Sequence, residues 1–157
     1  MTTDRMMDDL AEELRSIFSD HTYPTPSGER SMHVFLDGVP IEEADDDDVE
    51  SGIESRTPYA VIKLLAEDVD IDTSSSRVAI VICNFDDTGK YVGARNLRHQ
   101  IQLIKDRFLR HPEFTAYTVQ SRMSVVSQDP DESFPYIYGG IELTIDGPPT
   151  EREDDFA

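Results

Sequence analysis

The spacing of apolar and polar residues divides the chain into segments of two periods. Met6, Leu10, Leu14, Ile17 and Phe18 recur at three- and four-residue intervals, which predicts an amphipathic helix over the first twenty residues. Asp8, Asp9, Glu12 and Glu13 crowd its N-terminal half, where the helix dipole favours negative charge. Tyr23-Pro24-Thr25-Pro26-Ser27-Gly28 stops it, and residues 33–40 predict a short strand closed by a turn. From Pro58 the pattern is that of a core. Residues 59–65 read as a strand, residues 67–76 as a polar connection, and residues 77–85 as a second strand. The second is nearly continuous in β-branched residues, so it is expected to be central and covered on both faces. With no helix between them, the two strands should pair antiparallel. Residues 86–89 form the next turn.

The period then lengthens. Leu97, Ile101, Ile104 and Phe108 lie at intervals of four, three and four, which predicts a helix over 92–111 that ends at Pro112. Residues 117–125 alternate again, with Val119, Met123 and Val125 as the apolar members, and a turn follows at 129–133. The last apolar stretch, FPYIYGGIELTIDGPPTERE at 134–153, puts Ile141, Leu143 and Ile145 on one face of a strand. Gly139-Gly140 reads as a break in it, either a bulge or a place where another backbone comes close. Pro148-Pro149 ends it, because neither residue has an N–H for a ladder.

These elements predict an α+β domain: a single mixed, mainly antiparallel sheet packed against one long helix, with an additional N-terminal helix. The domain should run from 1 to 153, with a tail at 154–157. Residues 42–56, EEADDDDVESGIESR, hold almost no large apolar side chain and a block of like charge, so they are expected to be an acidic mobile linker.

Charge sharpens this picture. The net charge of −19 over 157 residues disfavours direct binding to nucleic acid or to an anionic membrane. The sequence has no bilayer-length apolar run and no signal-peptide pattern, so the protein is expected to stay in the cytoplasm where it is made. Against that background Lys90, Arg95, Arg98, Lys105, Arg107 and Arg110 gather in and just before the second helical segment with Asp106 as the one acid, giving residues 90–111 a charge of +5 while the remainder carries −24. Such segregation points to a surface that meets an acidic partner, including another copy of the same chain.

Catalytic patterns are missing. Cys83 is the sole cysteine and sits in an apolar strand, while His21, His33, His99 and His111 are scattered and not at metal-ligand spacing. The aspartate run 45–48 lacks the ligand alternation and distal Glu of a calcium loop. Gly139-Gly140 has no following helix or lysine to cradle phosphate, and no serine sits in a nucleophile elbow. Neither an enzymatic activity nor a metal or cofactor is expected.

In order, the elements resemble the tail terminator, or tail completion, family of long-tailed bacteriophages. The resemblance covers most of the chain. It rests on Pro58-Tyr59-Ala60-Val61-Ile62-Lys63-Leu64, on the helical pair Asn96-Leu97, and above all on the end: Pro135-Tyr136, Tyr138-Gly139, Pro148-Pro149 and Glu151-Arg152-Glu153. The acidity of the linker at 42–56 and of residues 67–72, and the second glycine, Gly140, depart from the family pattern. The resemblance implies a homo-oligomeric ring, a hexamer, at the head-proximal end of the tail tube. It would stop tube polymerisation, contact the tail tube protein, and offer a joint to the head-tail connector protein, with DNA only passing through its channel. The protein would then reside in the virion tail or neck. Candidate contacts to a neighbouring subunit or the tube are Arg95, Arg98, Lys105, Arg107, Arg110, Phe134, Tyr136, Tyr138, Pro148 and Pro149. Two other readings fit the residues: a different neck, head-completion or tail-tube component, and an acidic DNA-mimic inhibitor.

Overall fold

A computed structural model describes residues 3–25, 27–40 and 56–148. Helix α1 (Thr3–Phe18) buries Met6, Leu10, Leu14 and Phe18, the face set by the three- and four-residue spacing, with Ile17 packed at its margin. The segment expected only to stop α1 folds into a small hairpin, β1 (Tyr23–Thr25) with β2 (Gly28–Arg30). Strand β3 (His33–Leu36) follows, and Asp37 with positive φ turns the chain after it. Arg56 donates to the Pro40 carbonyl, which holds together the two ends of the intervening segment. Of the expected linker, residues 42–55 lie outside the described residues, as do Pro149 and the tail at 154–157.

Strands β4 (Tyr59–Val69) and β5 (Ser74–Phe85) form a long antiparallel ribbon. The connection expected at 67–76 is thus mostly strand: Val69 pairs with Ser74, and the Asp70 N–H donates to the Thr73 carbonyl to close the tip (2.8 Å). Polar side chains hid this because a ladder is built from backbone groups, and an exposed ribbon needs no apolar face. Helix α2 (Val92–Arg110) then crosses the sheet and buries Leu97, Ile101, Ile104 and Phe108, as their spacing requires. Two short strands, β6 (Glu113–Phe114) and β7 (Tyr117–Val119), precede β8 (Ser124–Ser127) and the final strand β9 (Tyr136–Asp146).

The main sheet has seven strands in the order β3-β4-β5-β9-β7-β6, with β8 beside β9 on the same side as β7. Only β3 and β4 are parallel, so the sheet is mixed and mainly antiparallel, covered by one long helix and the N-terminal one. The strand expected at 117–125 is interrupted. Five steps from Val119 to Ser124 face three from Ile145 to Glu142, so the chain loops out between β7 and β8 and resumes along the same neighbour.

Strand β9 runs without a break through Gly139 and Gly140, each paired to β5 on one side and β8 on the other. The bulge alternative fails, and close approach is the reason for both glycines. A Cβ on Gly139 would stand 2.7 Å from Leu97 Cδ2, and one on Gly140 would stand 2.7 Å from the Ile80 carbonyl oxygen. Neither position has room for a methyl group.

Ile62, Val78, Ile80, Ile82, Ile137, Ile141, Leu143 and Ile145 join the helix residues in one buried cluster. Each such side chain contributes about 1.5–3 kcal/mol relative to exposure. Strand β5 is central, but it is not covered on both faces. The face away from the helices leaves Ala79 and Val81 half-open and carries a smaller cluster of Tyr59, Val61 and Cys83, rimmed by Phe35, Val39, Tyr136 and Tyr138.

Candidate interaction surface

The basic residues of α2 do not form one patch. Arg95, Arg98 and Lys105 follow each other at three- and seven-residue intervals and so share one flank, with Arg95 and Arg98 exposed and Lys105 half-buried. Arg107 lies on the other flank, facing α1, and is taken up within the fold. Its Nη2 donates to Glu13 Oε2 (3.2 Å) and to the Glu113 carbonyl (3.2 Å), and its Nη1 donates to the His111 carbonyl. The guanidinium also lies 5.1 Å from the Phe108 ring centroid. Arg107 therefore ties α1, α2 and β6 together within one copy of the chain. Arg110 is exposed at the end of the helix.

The start of α2 is held from outside the helix. Its N-cap residue, Tyr91, has a left-handed backbone (φ 61°) and makes no side-chain cap. Asp86 supplies the missing acceptor: Oδ2 takes the Gly93 N–H (2.9 Å), while Oδ1 takes the Thr88 N–H and hydroxyl (2.9 and 2.6 Å). Burial opposes ionisation of Asp86, but the donors from Gly93, Thr88 and Val92 outweigh it and hold the carboxyl below its ordinary value. Deeper in, Asn84 and Gln100 exchange two hydrogen bonds (2.8 and 3.0 Å), so this buried polar pair is satisfied within the core.

The residues at the start of β9 divide by parity. Tyr136 and Tyr138 lie on the sheet face away from the helices, both half-buried, and Tyr136 meets Phe85 edge-on at 5.3 Å. Phe134 is 53% exposed beside Tyr91, whose hydroxyl reaches Asp131 (3.3 Å), so the approach to β9 is pinned to the start of α2. Pro148 is half-buried, and Pro149 is outside the described residues. Because Gly140 has no side chain, a groove of about 600 Å³ opens over this end of β9, walled by Val81, Val126, Tyr138 and Glu142. Behind it, burial pushes the Cys83 thiol up to about 11, with hydrogen bonds to Tyr59 and Tyr138 drawing it partly back. The thiol is a packing group and not a nucleophile.

Charge counting overlooked the apolar part of this surface. Val125 and Val126 are both exposed on β8, and Leu64, Leu65 and Val69 are exposed on the outer part of β4. One signal for the first was present: adjacent valines in a strand point to opposite faces, so a strand with one buried face must expose one of them. Among the described residues, no group of three or more His, Cys, Asp or Glu is placed to hold a metal ion, and no helix is long and apolar enough to cross a membrane. Comparison of the chain with models of known protein families and with curated proteins gives no match.

Proposed function

We propose that this chain is a structural ring protein of a bacteriophage tail, of the tail terminator kind. Copies joined head to tail cap the finished tail tube, stop its polymerisation and present a surface to the head connector. The observation that carries this reading is the placement of the stretch on which the resemblance rests. Strand β9, with Tyr136, Tyr138 and the glycine pair, lies inside the sheet and exposes its aromatic start next to an apolar groove. A ring of identical subunits needs two different complementary patches on each copy. The Arg95, Arg98 and Lys105 flank of α2 supplies a basic patch on a chain of net charge −19, and complementary charge would set partner choice and encounter rate.

Electron microscopy of tails assembled with and without the protein tests the reading. Overlong tubes in its absence support it. Tails of normal length that fail to join heads would instead make it a head-completion component and overturn the terminator role.

A further inference from the structure

The edge of a β-sheet is a row of unpaired N–H and C=O groups, and proteins that remain apart cover, charge or shorten such edges. Two edges of this sheet are closed by arginine. Arg15 of α1 donates to the Val34 carbonyl on the outer side of β3 (3.3 Å), and Arg107 of α2 donates to the Glu113 carbonyl of β6 (3.2 Å). Two other edges have no arginine on their carbonyls among the described residues, although at one of them Thr3 of α1 donates to the Glu67 carboxylate. Pairing on the outer side of β4 finishes where the Asp37 N–H meets the Ile62 carbonyl, so residues 63–69, which pair with β5 except at a bulge on Leu65, have no strand on their outer side among the described residues. Strand β8 likewise has β9 on one side only, and its four residues are all exposed.

Both open edges carry apolar side chains in water. On the ribbon of β4 and β5, Val69 is 76% and Ile71 61% exposed, with Leu64 and Leu65 beside them; on β8, Val126 is 65% exposed and Val125 stands next to it. Their charges differ. Residues 63–72 hold Lys63 against Glu67, Asp68, Asp70 and Asp72, a net of −3, whereas residues 120–128 hold Arg122 alone, a net of +1.

We propose that the outer edge of β4 in one copy pairs with β8 of the next, so that the sheet continues from subunit to subunit. The proposal rests on the ring reading above and names the contact that would build the ring. It is heterologous, because β4 and β8 border opposite sides of the β5-β9 pair. Two β4 edges meeting each other would bring −3 against −3. Pairing with β8 instead brings the acids of the ribbon toward Arg122 and covers both apolar sets, while backbone bonds fix the register.

The test uses the full chain with one added cysteine, Leu65→Cys or Val126→Cys; native Cys83 is buried and stays silent. Mild oxidation of the two variants mixed should give a covalent dimer linked between positions 65 and 126, at least tenfold more than either variant alone. A second variant protects the test from misfolding. The Gln128 N–H points to Tyr138 of β9 (3.1 Å), so by alternation the Val125 N–H points outward. Val125→Pro should keep the monomer's melting temperature and abolish the multi-copy species in sedimentation. A multi-copy species that survives Val125→Pro and yields no mixed disulfide overturns the edge pairing and leaves the ring. A wild-type chain that sediments as a monomer at every concentration overturns the ring and the pairing together.

Discussion

Leu97 of α2 packs so closely on Gly139 of β9 that a Cβ there would lie 2.7 Å from Leu97 Cδ2. The long helix and the central sheet therefore meet at a backbone and not at two interlocking side chains. Gly139→Ala forces Leu97 out of its rotamer and should lower stability by about 1–3 kcal/mol. Gly140→Ala should cost more, because the obstacle 2.7 Å away is the Ile80 carbonyl of β5, which cannot swing aside as a side chain can. Urea unfolding of both variants checks the order. Equal midpoints would mean that the strand shifts freely and that close approach is not what the glycines serve.

Arg107 and Arg98 belong to the same helix and the same charge count, yet their effects should separate. Arg107→Ala removes the bond to Glu13, a half-buried pair, together with the carbonyl contacts across α2 and β6. Its loss should be about 1 kcal/mol, reduced at high salt to the part carried by carbonyl contacts and stem packing. Arg98→Glu changes an exposed side chain and should leave thermal unfolding within about 0.5 kcal/mol of wild type while altering tail assembly. Thermal melts beside tail counts decide it. If Arg98→Glu leaves assembly untouched and Arg107→Ala leaves stability untouched, the division of α2 into a structural and a free flank is wrong.

These two arginines also mark where sequence reading stops. The period of Leu97, Ile101, Ile104 and Phe108, and that of Ile141, Leu143 and Ile145, carried the helix-covered face correctly because burial on one side imposes its spacing directly. A charge count has no direction, so nothing in the run from Lys90 to Arg110 marked Arg107 as the partner of Glu13, 94 residues away. The glycine pair looked like an interruption, although the odd positions from Ile137 to Ile145 keep one parity through it. The outer ribbon of β4 and β5 escaped notice for the opposite reason: residues 67–76 are polar apart from Val69 and Ile71, and the bonds that make it a ribbon belong to the backbone.

Cys83 should be chemically silent until the fold opens. It is fully buried among Tyr59, Val61 and the tyrosines of β9, with its thiol pushed up to about 11. Labelling by a thiol reagent at pH 8 should be at least about a hundredfold slower than in the denatured chain, since both access and thiolate are lacking. Labelling that follows the urea unfolding curve supports this. Rapid labelling without denaturant would show that the small cluster on the open face opens independently.

The carboxylate of Asp86 ties the start of α2 to the preceding turn, and its contribution should depend on pH with a definite sign. Its donors hold the folded-state value below the ordinary 3.8, so the charged form is favoured by folding. The stabilisation is therefore present above pH 3.8 and is lost as pH falls through the folded-state value beneath it. Asp86→Asn keeps the shape but not the charge that faces the positive helix end, and should lower stability at pH 7 by about 1 kcal/mol. The gap between wild type and variant should hold from pH 7 down to about 5 and narrow below 3.8. Paired melts across that range measure it. A gap that stays constant to pH 2.5 would assign the loss to hydrogen-bond geometry, and the charge of Asp86 would have no part in fixing α2 to the sheet.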